Sequence, residues 1–241
     1  TDTLIKQFDT IDPRGTNMYI TINKVNEDCY AREQHDCFRQ TDASTHDHEI
    51  DSYEWLFVDL DPERAKEVSS TDEELKESIA LAGRVKKYLE GIGFERPVEA
   101  LSGNGAHLLY YIGLANTEEN ANLIKACLMA LDMMFSTDKV KIDTVNFNPS
   151  RICKLYGTAA QKGANSPERP HRISEIISDD FEPKQTLKCY LEQLAGAVEE
   201  VKPVAAKYNN YDPNNFDLVG WMQKHGMGYR EKSFSDGGRK Y

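Results

Sequence analysis

Trp55-Leu56-Phe57-Val58-Asp59-Leu60-Asp61-Pro62 is an apolar, strand-favouring run that closes in two carboxylates two positions apart and then in a proline that stops it. Alternation along an extended chain puts Asp59 and Asp61 on one face of the strand and turns Leu60 to the other. Residues so placed sit roughly 6.5 to 7 Å apart, so their side chains can converge on divalent ions held about 3.5 to 4 Å apart, as in two-metal phosphoryl transfer. Hard oxygen donors of this kind suit Mg²⁺ or Mn²⁺. An isolated D-x-D is also how a strand runs out into a solvated acidic turn, so the pair gains meaning only from its surroundings.

Those surroundings begin with composition. The 241 residues can bury a proper core, and 39% hydrophobic with 29% charged residues reads as a soluble globular protein. No apolar run approaches the roughly 20 residues needed to span a bilayer, and no signal-peptide-like segment opens the sequence, so a cytoplasmic protein without a membrane partner is expected. Five cysteines (Cys29, Cys37, Cys127, Cys153, Cys189), odd in number and without a C-x-x-C pair, argue against a disulfide framework or a zinc ribbon. The net charge of −11 argues against an indiscriminate polyanion binder, although a local basic surface can still grip nucleic acid. Its distribution is more informative: between 151 and 172 five basic residues (Arg151, Lys154, Lys162, Arg169, Arg172) face one acid, Glu168, a concentration suited to a phosphate-facing surface or to a solvated charged face.

Along the chain, Met18 to Ile22 reads as a strand, and 26–51 as a long polar loop with room for a short helix. His46-Asp47-His48 lies in that loop; its polar flanks differ from the apolar strand in which a nuclease H-x-H pair holds its metal, so it reads as solvated. Ser70 or Thr71 caps a helix whose stripe is Leu75, Ile79, Ala82, Val85 and Leu89, stopped by Gly91. Pro97 to Leu101 and Ala106 to Ile112 are strands joined by Ser102-Gly103-Asn104-Gly105, a hairpin connection. A helix from Glu118 to Phe135, capped by Thr117, precedes a strand over 139–145 that carries Asp143. A helix from 184 to 194, a linker over 202–211 and a helix containing Trp221 follow. The order predicts an α+β fold, an RNA-recognition-motif-like mixed or antiparallel sheet with helices on one face. On such a sheet Asp59, Asp61 and Asp143 can hold two cations, while His107 and the backbone N–H groups of Gly103 and Gly105 face a triphosphate.

Phe57-Val58-Asp59-Leu60-Asp61-Pro62, Ser102-Gly103-Asn104-Gly105-Ala106-His107-Leu108, Ile142-Asp143 and Arg151-Ile152-Cys153-Lys154-Leu155-Tyr156-Gly157-Thr158 resemble, in order, the three motifs and trailing basic strand of the archaeo-eukaryotic primase superfamily. The similarity is greatest to primase-polymerase domains of phages, plasmids and CRISPR-associated operons. It covers residues 17–176. The resemblance implies a second small α/β unit beside the sheet and a DNA primase/polymerase transferring nucleotides from NTP or dNTP. Asp59, Asp61 and Asp143 would be catalytic and would hold two Mg²⁺ or Mn²⁺; His107, Arg151 and Lys154 would bind the nucleotide with Ser102, Gly103 and Gly105; single-stranded template and primer would be partners. Family members often carry S-x-H in the second motif, whereas here Gly105 stands two before the histidine and Ser102 lies further upstream.

The expected division is a catalytic domain over 1–176 and a helical connector over 177–241 leading to a downstream domain of the same polypeptide. A start at Thr1 and an end at Asp236-Gly237-Gly238-Arg239-Lys240-Tyr241 fit an excised piece of a longer chain. Two rival readings are a metal-dependent single-strand nuclease using His46 and His48, and a non-catalytic module of the RNA-recognition type on which Tyr110 and Tyr111 stack bases.

Overall fold

The computed structural model describes residues 15–32 and 45–197, together with the strand residues 232–233 and 239–240. The chain divides into two compact units, Thr1–Val201 and Lys202–Tyr241. Of the second, the description covers one antiparallel pair, β11 (Lys232–Ser233) with β12 (Arg239–Lys240). The expected linker over 202–211 and the helix around Trp221 lie outside the described residues, as do Cys37 and residues 1–14. The division expected at 176 falls inside the first unit, because α3 (Lys188–Gly196) buries Leu191 and Leu194 in its main core.

That core forms on an antiparallel sheet built around β3 (Ile50–Pro62). β5 (Ala106–Ala115) runs along one side of it, and beyond β5 lie β4 (Val98–Leu101) and β10 (Glu175–Ile176). On the other side β2 (Lys24–Val25) pairs with the first part of β3, and β6 (Val140–Ile142) pairs with Leu60–Pro62. Every one of these pairings is antiparallel. β3 begins well before the apolar run that marks it in the sequence. Its polar start is held by β2, which pairs with Ile50 and Ser52, and by β5, which pairs with Ser52, and a register shift between Tyr53 and Trp55 turns Tyr53 into the core.

Period-two alternation sorts the two faces. Leu56, Val58 and Leu60 of β3 and Leu108, Tyr110 and Ile112 of β5 pack beneath α1 (Asp72–Gly91) and α2 (Glu118–Phe135), against Leu81, Val85, Leu89, Ile124, Leu128 and Leu131. Thr71 Oγ1 accepts from Glu74 N at 3.1 Å while the Glu74 carboxylate accepts from Thr71 N at 2.8 Å, the reciprocal pair that starts α1. Thr117 caps α2 with one such bond, its Oγ1 accepting from Asn120 N at 3.2 Å. The left-handed residue behind α1 is Gly93 (φ 103°) rather than Gly91, which remains helical. α3 starts later than its sequence pattern implies because Thr186 N donates to Tyr111 O at 2.8 Å and Gln185 Nε2 to Ile112 O at 2.7 Å, holding that segment extended along β5.

The opposite face is covered by a smaller layer. β1 (Tyr19–Thr21) pairs with β7 (Ile152–Lys154), and β8 (Ala159–Ala160) pairs with β9 (Arg172–Ile173). Phe57, Leu109 and Cys153 are buried between β3, β5 and β7, with Ile22, Trp55, Val98 and Tyr156 packed around them. The odd-numbered residues 57, 59 and 61 thus point toward β1 and β7, away from the helices. No helix among the described residues is long and apolar enough to cross a membrane.

Candidate active site

The two strand acids stand where the sheet and the smaller layer leave a pocket of about 150 Å³. It is lined by Asp59 and Asp61 of β3, His107 of β5, Asp143 after β6, and Arg151 and Lys154 at β7. Asp59 lies directly opposite His107 in the β3/β5 register, and the backbone N–H of Asp143 donates to Asp59 O at 3.0 Å. β6 ends at Ile142, so Asp143 sits in a turn and not on the expected strand; its Oδ1 accepts from Val145 N at 2.9 Å.

His107 is 4% exposed, and its surroundings hold it in place. Its Nε2 lies 3.4 Å from Asp59 Oδ1, its Nδ1 2.8 Å from the Tyr156 hydroxyl, and its ring meets Phe57 edge-on at 4.8 Å. Burial works against the charged imidazole, but the Asp59 carboxylate, with help from Cys153, lifts the His107 pKa to about 10. The pairing with Asp59 thus favours the charged form of the His107 ring. For Asp59, burial opposes ionisation, but His107, Lys162 and Arg64 outweigh it and hold the carboxyl below its ordinary range. Asp61 moves the other way: burial and the Asp59 charge raise it, against Arg64 Nη2 at 3.3 Å and Lys162 Nζ at 3.8 Å from its Oδ2.

Two carboxylates forced together, one resisting ionisation because of the other, are a donor set that a hard divalent cation relieves. Asp59 Oδ1 is buried and, among the described residues, has no hydrogen-bond partner of good geometry, only the ion-pair approach of His107. Asp59 and Asp61 therefore fit such an ion. Asp143 lines the same pocket without closing on them: among the described residues no three His, Cys, Asp or Glu side chains gather into one metal-ligand cluster.

The opposite wall is cationic. Lys154 is 6% exposed, has its Nζ 2.9 Å from Asn17 Oδ1, and is pulled by burial to a pKa of about 8. Arg151 donates from Nη2 to Val145 O at 2.7 Å, which ties β7 to the turn carrying Asp143. Lys162 is shared with Asp61. The remaining two basic residues of the segment do not face the pocket: Arg169 pairs with Glu74 at 2.9 Å, and Arg172 with Asp72 at 2.6 Å, both at the start of α1.

The hairpin residues divide as well. Ser102 lines the pocket, but its Oγ accepts from Asn104 N at 3.2 Å and from Gly105 N at 2.9 Å, so the Gly105 N–H is committed inside the turn and is not free for a phosphate. A Cβ at Gly105 would stand 2.4 Å from Leu60 O and 2.6 Å from Asp61 Oδ1; glycine there lets β5 approach the acid pair. Gly103 (φ 92°) abuts Ala160 and Arg172 O instead of the pocket. His46, which precedes the short 3₁₀ turn Asp47–Glu49, and His48 within it stack on each other at 5.6 Å, and neither lines the acid pocket. Tyr110, expected as a base-stacking residue, is 1% exposed in the helix-side core, whereas Tyr111 meets Trp55 edge-on at 5.6 Å.

Sequence reasoning missed the residues that support the site from a distance. Tyr156 and Cys153, which hold His107, carried no signal beyond their place in the basic strand, and Asn17, the partner of Lys154, carried none. Lys162 was visible only as one of several charges.

No family model matches the chain, and no curated protein does. Among solved structures, the AEP domain (PP-N190) of the cyanophage S-2L primase-polymerase (PrimPol) is similar at 22% identity with a TM-score of 0.36. The overlap spans 61% of this chain and 61% of that one. Identity and score of this size fall short of showing a family or an activity.

Proposed function

We propose that the chain is a DNA primase/polymerase that transfers nucleotides from NTP or dNTP to a 3′-hydroxyl, or to the hydroxyl of a first nucleotide, on a single-stranded template. The observation that carries the reading is the convergence, in one pocket, of the Asp59 and Asp61 pair of β3 and Asp143 from behind β6 with His107, Lys154 and Arg151. An acid wall facing a cationic wall is what phosphoryl transfer requires, because its catalysis is mostly positioning and charge stabilisation. The primase-like order of the four motifs in the sequence supports the same reading.

Asp59 and Asp61, with Asp143 at the rim, would hold Mg²⁺ or Mn²⁺, which when bound lowers the pKa of the attacking hydroxyl and offsets charge on the leaving pyrophosphate. The chain's own residues do the rest. His107 fixes the Asp59 carboxylate and contributes positive charge next to it. Lys154, desolvated and oriented by Asn17, offers its ammonium to the triphosphate with Arg151 and Lys162. Primer, template and a downstream domain of the same polypeptide are the partners in this reading.

Incorporation of labelled ATP, GTP and dNTPs on single-stranded DNA, with and without primer, in Mg²⁺ and in Mn²⁺, tests it. Template-dependent products are expected; degradation of the DNA in nucleotide-free Mg²⁺ buffer, with no synthesis under any condition, would favour the nuclease reading instead.

A further inference from the structure

The pocket of about 150 Å³ is smaller than the roughly 300 to 1,000 Å³ of sites that enclose an organic ligand. It can take phosphates and ions, and a nucleoside attached to those phosphates must lie outside, against whatever forms the rim. On the cationic wall that rim is apolar. Tyr19 is 55% exposed and Ile152 45% exposed, yet both line the pocket. Tyr19 is opposite Lys154 in the β1/β7 register and Thr21 is opposite Ile152, so Tyr19, Lys154 and Ile152 share one face of this two-stranded layer. The Lys154 ammonium stands 5.1 Å from the Tyr19 ring centroid, which places the aromatic surface beside the cation expected to meet the triphosphate.

Resting on the reading of the pocket as a triphosphate site, we propose that Tyr19, with Ile152, is the seat of the nucleoside: base or sugar packs on the exposed part of this shelf while the phosphates enter between Lys154 and the acids. An aromatic face without hydrogen-bond readout accepts any of the bases, so the seat orients nucleotides and leaves their choice to the template. Tyr19 touches substrate in this account; the β1/β7 pairing positions it.

The test is calorimetric titration of the full chain, in Mg²⁺ without template, with ATP, dATP and inorganic tripolyphosphate. Unaltered protein binds the nucleotides more tightly than tripolyphosphate. Tyr19→Ala weakens nucleotide binding by at least roughly fivefold, the low end for loss of one base–aromatic stack, with tripolyphosphate binding changed less than about twofold; Tyr19→Phe restores nucleotide binding. Equal losses for nucleotide and tripolyphosphate would show that Tyr19 only supports Lys154 and would overturn the seat. Unchanged nucleotide binding in Tyr19→Ala would do the same while leaving the triphosphate site intact. Failure of the unaltered chain to bind any of the three ligands would remove the triphosphate site itself, and the seat with it. Because Tyr19 is exposed, the thermal midpoint of Tyr19→Ala stays that of the unaltered chain.

Discussion

Asp59 is pulled in two directions, and its partner His107 records the outcome. The imidazole is buried, which favours its neutral form, yet it sits 3.4 Å from a carboxylate buried with it, and its pKa is pushed up to about 10. A histidine raised from 6.5 contributes stability that is complete below that value and is lost as pH rises through about 10. Asp59, held below its ordinary 3.8, contributes stability present above that value and lost as pH falls through its folded pKa. Thermal midpoints measured in chelator are therefore expected to fall for the unaltered chain between pH 6.5 and 8, before Lys154, pulled down to about 8, begins to add stability as pH rises. In His107→Gln, which has no proton to lose, that decline should be absent; parallel curves for the two proteins would show that the pair is not charged. At the same site, Asp59→Asn and Asp143→Asn should each abolish nucleotide incorporation while the circular dichroism spectrum is kept. Full synthesis by either would remove the acid from the mechanism.

At the scale of the element, glycine positions separate the parts of the fold that hold the site from the parts that merely build it. A methyl at Gly105 would overlap Leu60 O and crowd Asp61 Oδ1, so β5 and β3 would have to part where the acids sit. Gly105→Ala should cost about 1 to 3 kcal/mol as overpacking and weaken Mn²⁺ binding, read by denaturant melts and by Mn²⁺ titration. Gly83, exposed in the middle of α1, has nothing within 4 Å of its added methyl. Gly83→Ala should stabilise by about 0.5 to 1 kcal/mol, the usual gain in a helix interior, without touching metal binding. The same contrast explains what could be read from the sequence. The D-x-D alternation, the hairpin 101–106 and α2 from its Thr117 cap to Phe135 follow from local periodicity and turn chemistry. The end of β6 before Asp143 is local as well, since the Asp143 carboxylate accepts from Val145 N two residues on. The polar beginning of β3 at Ile50 and the late start of α3 depend on partners distant in sequence, namely β2 and the Tyr111 carbonyl. No window of sequence contains them.

For the whole molecule, the question is how a chain of net charge −11 comes to hold a cationic wall in its acid pocket. The basic run from 151 to 172 is only partly that wall. Arg169 and Arg172 reach back to Glu74 and Asp72 and to the carbonyls of Ser69 and Ser70, fastening the segment around β8 and β9 to the start of α1. Lys154 and Lys162 instead line the acid pocket. A charge count along the sequence cannot separate these two uses, because both need cations at the same density and differ only in what lies across from them. The two pairs of substitutions should therefore fail in opposite ways. Lys154→Ala with Lys162→Ala removes charge from the pocket: tripolyphosphate binding should fall at least tenfold while the thermal midpoint holds or rises, since Lys154 is a buried cation whose ammonium donates to the neutral Asn17. Arg169→Ala with Arg172→Ala removes clamps: the midpoint should fall, and tripolyphosphate binding by the protein that remains folded should be kept. If the arginine pair instead weakened binding as strongly as the lysine pair, at a temperature where both variants are folded, the whole segment would be one phosphate surface and the division of labour drawn from its ion pairs would be wrong.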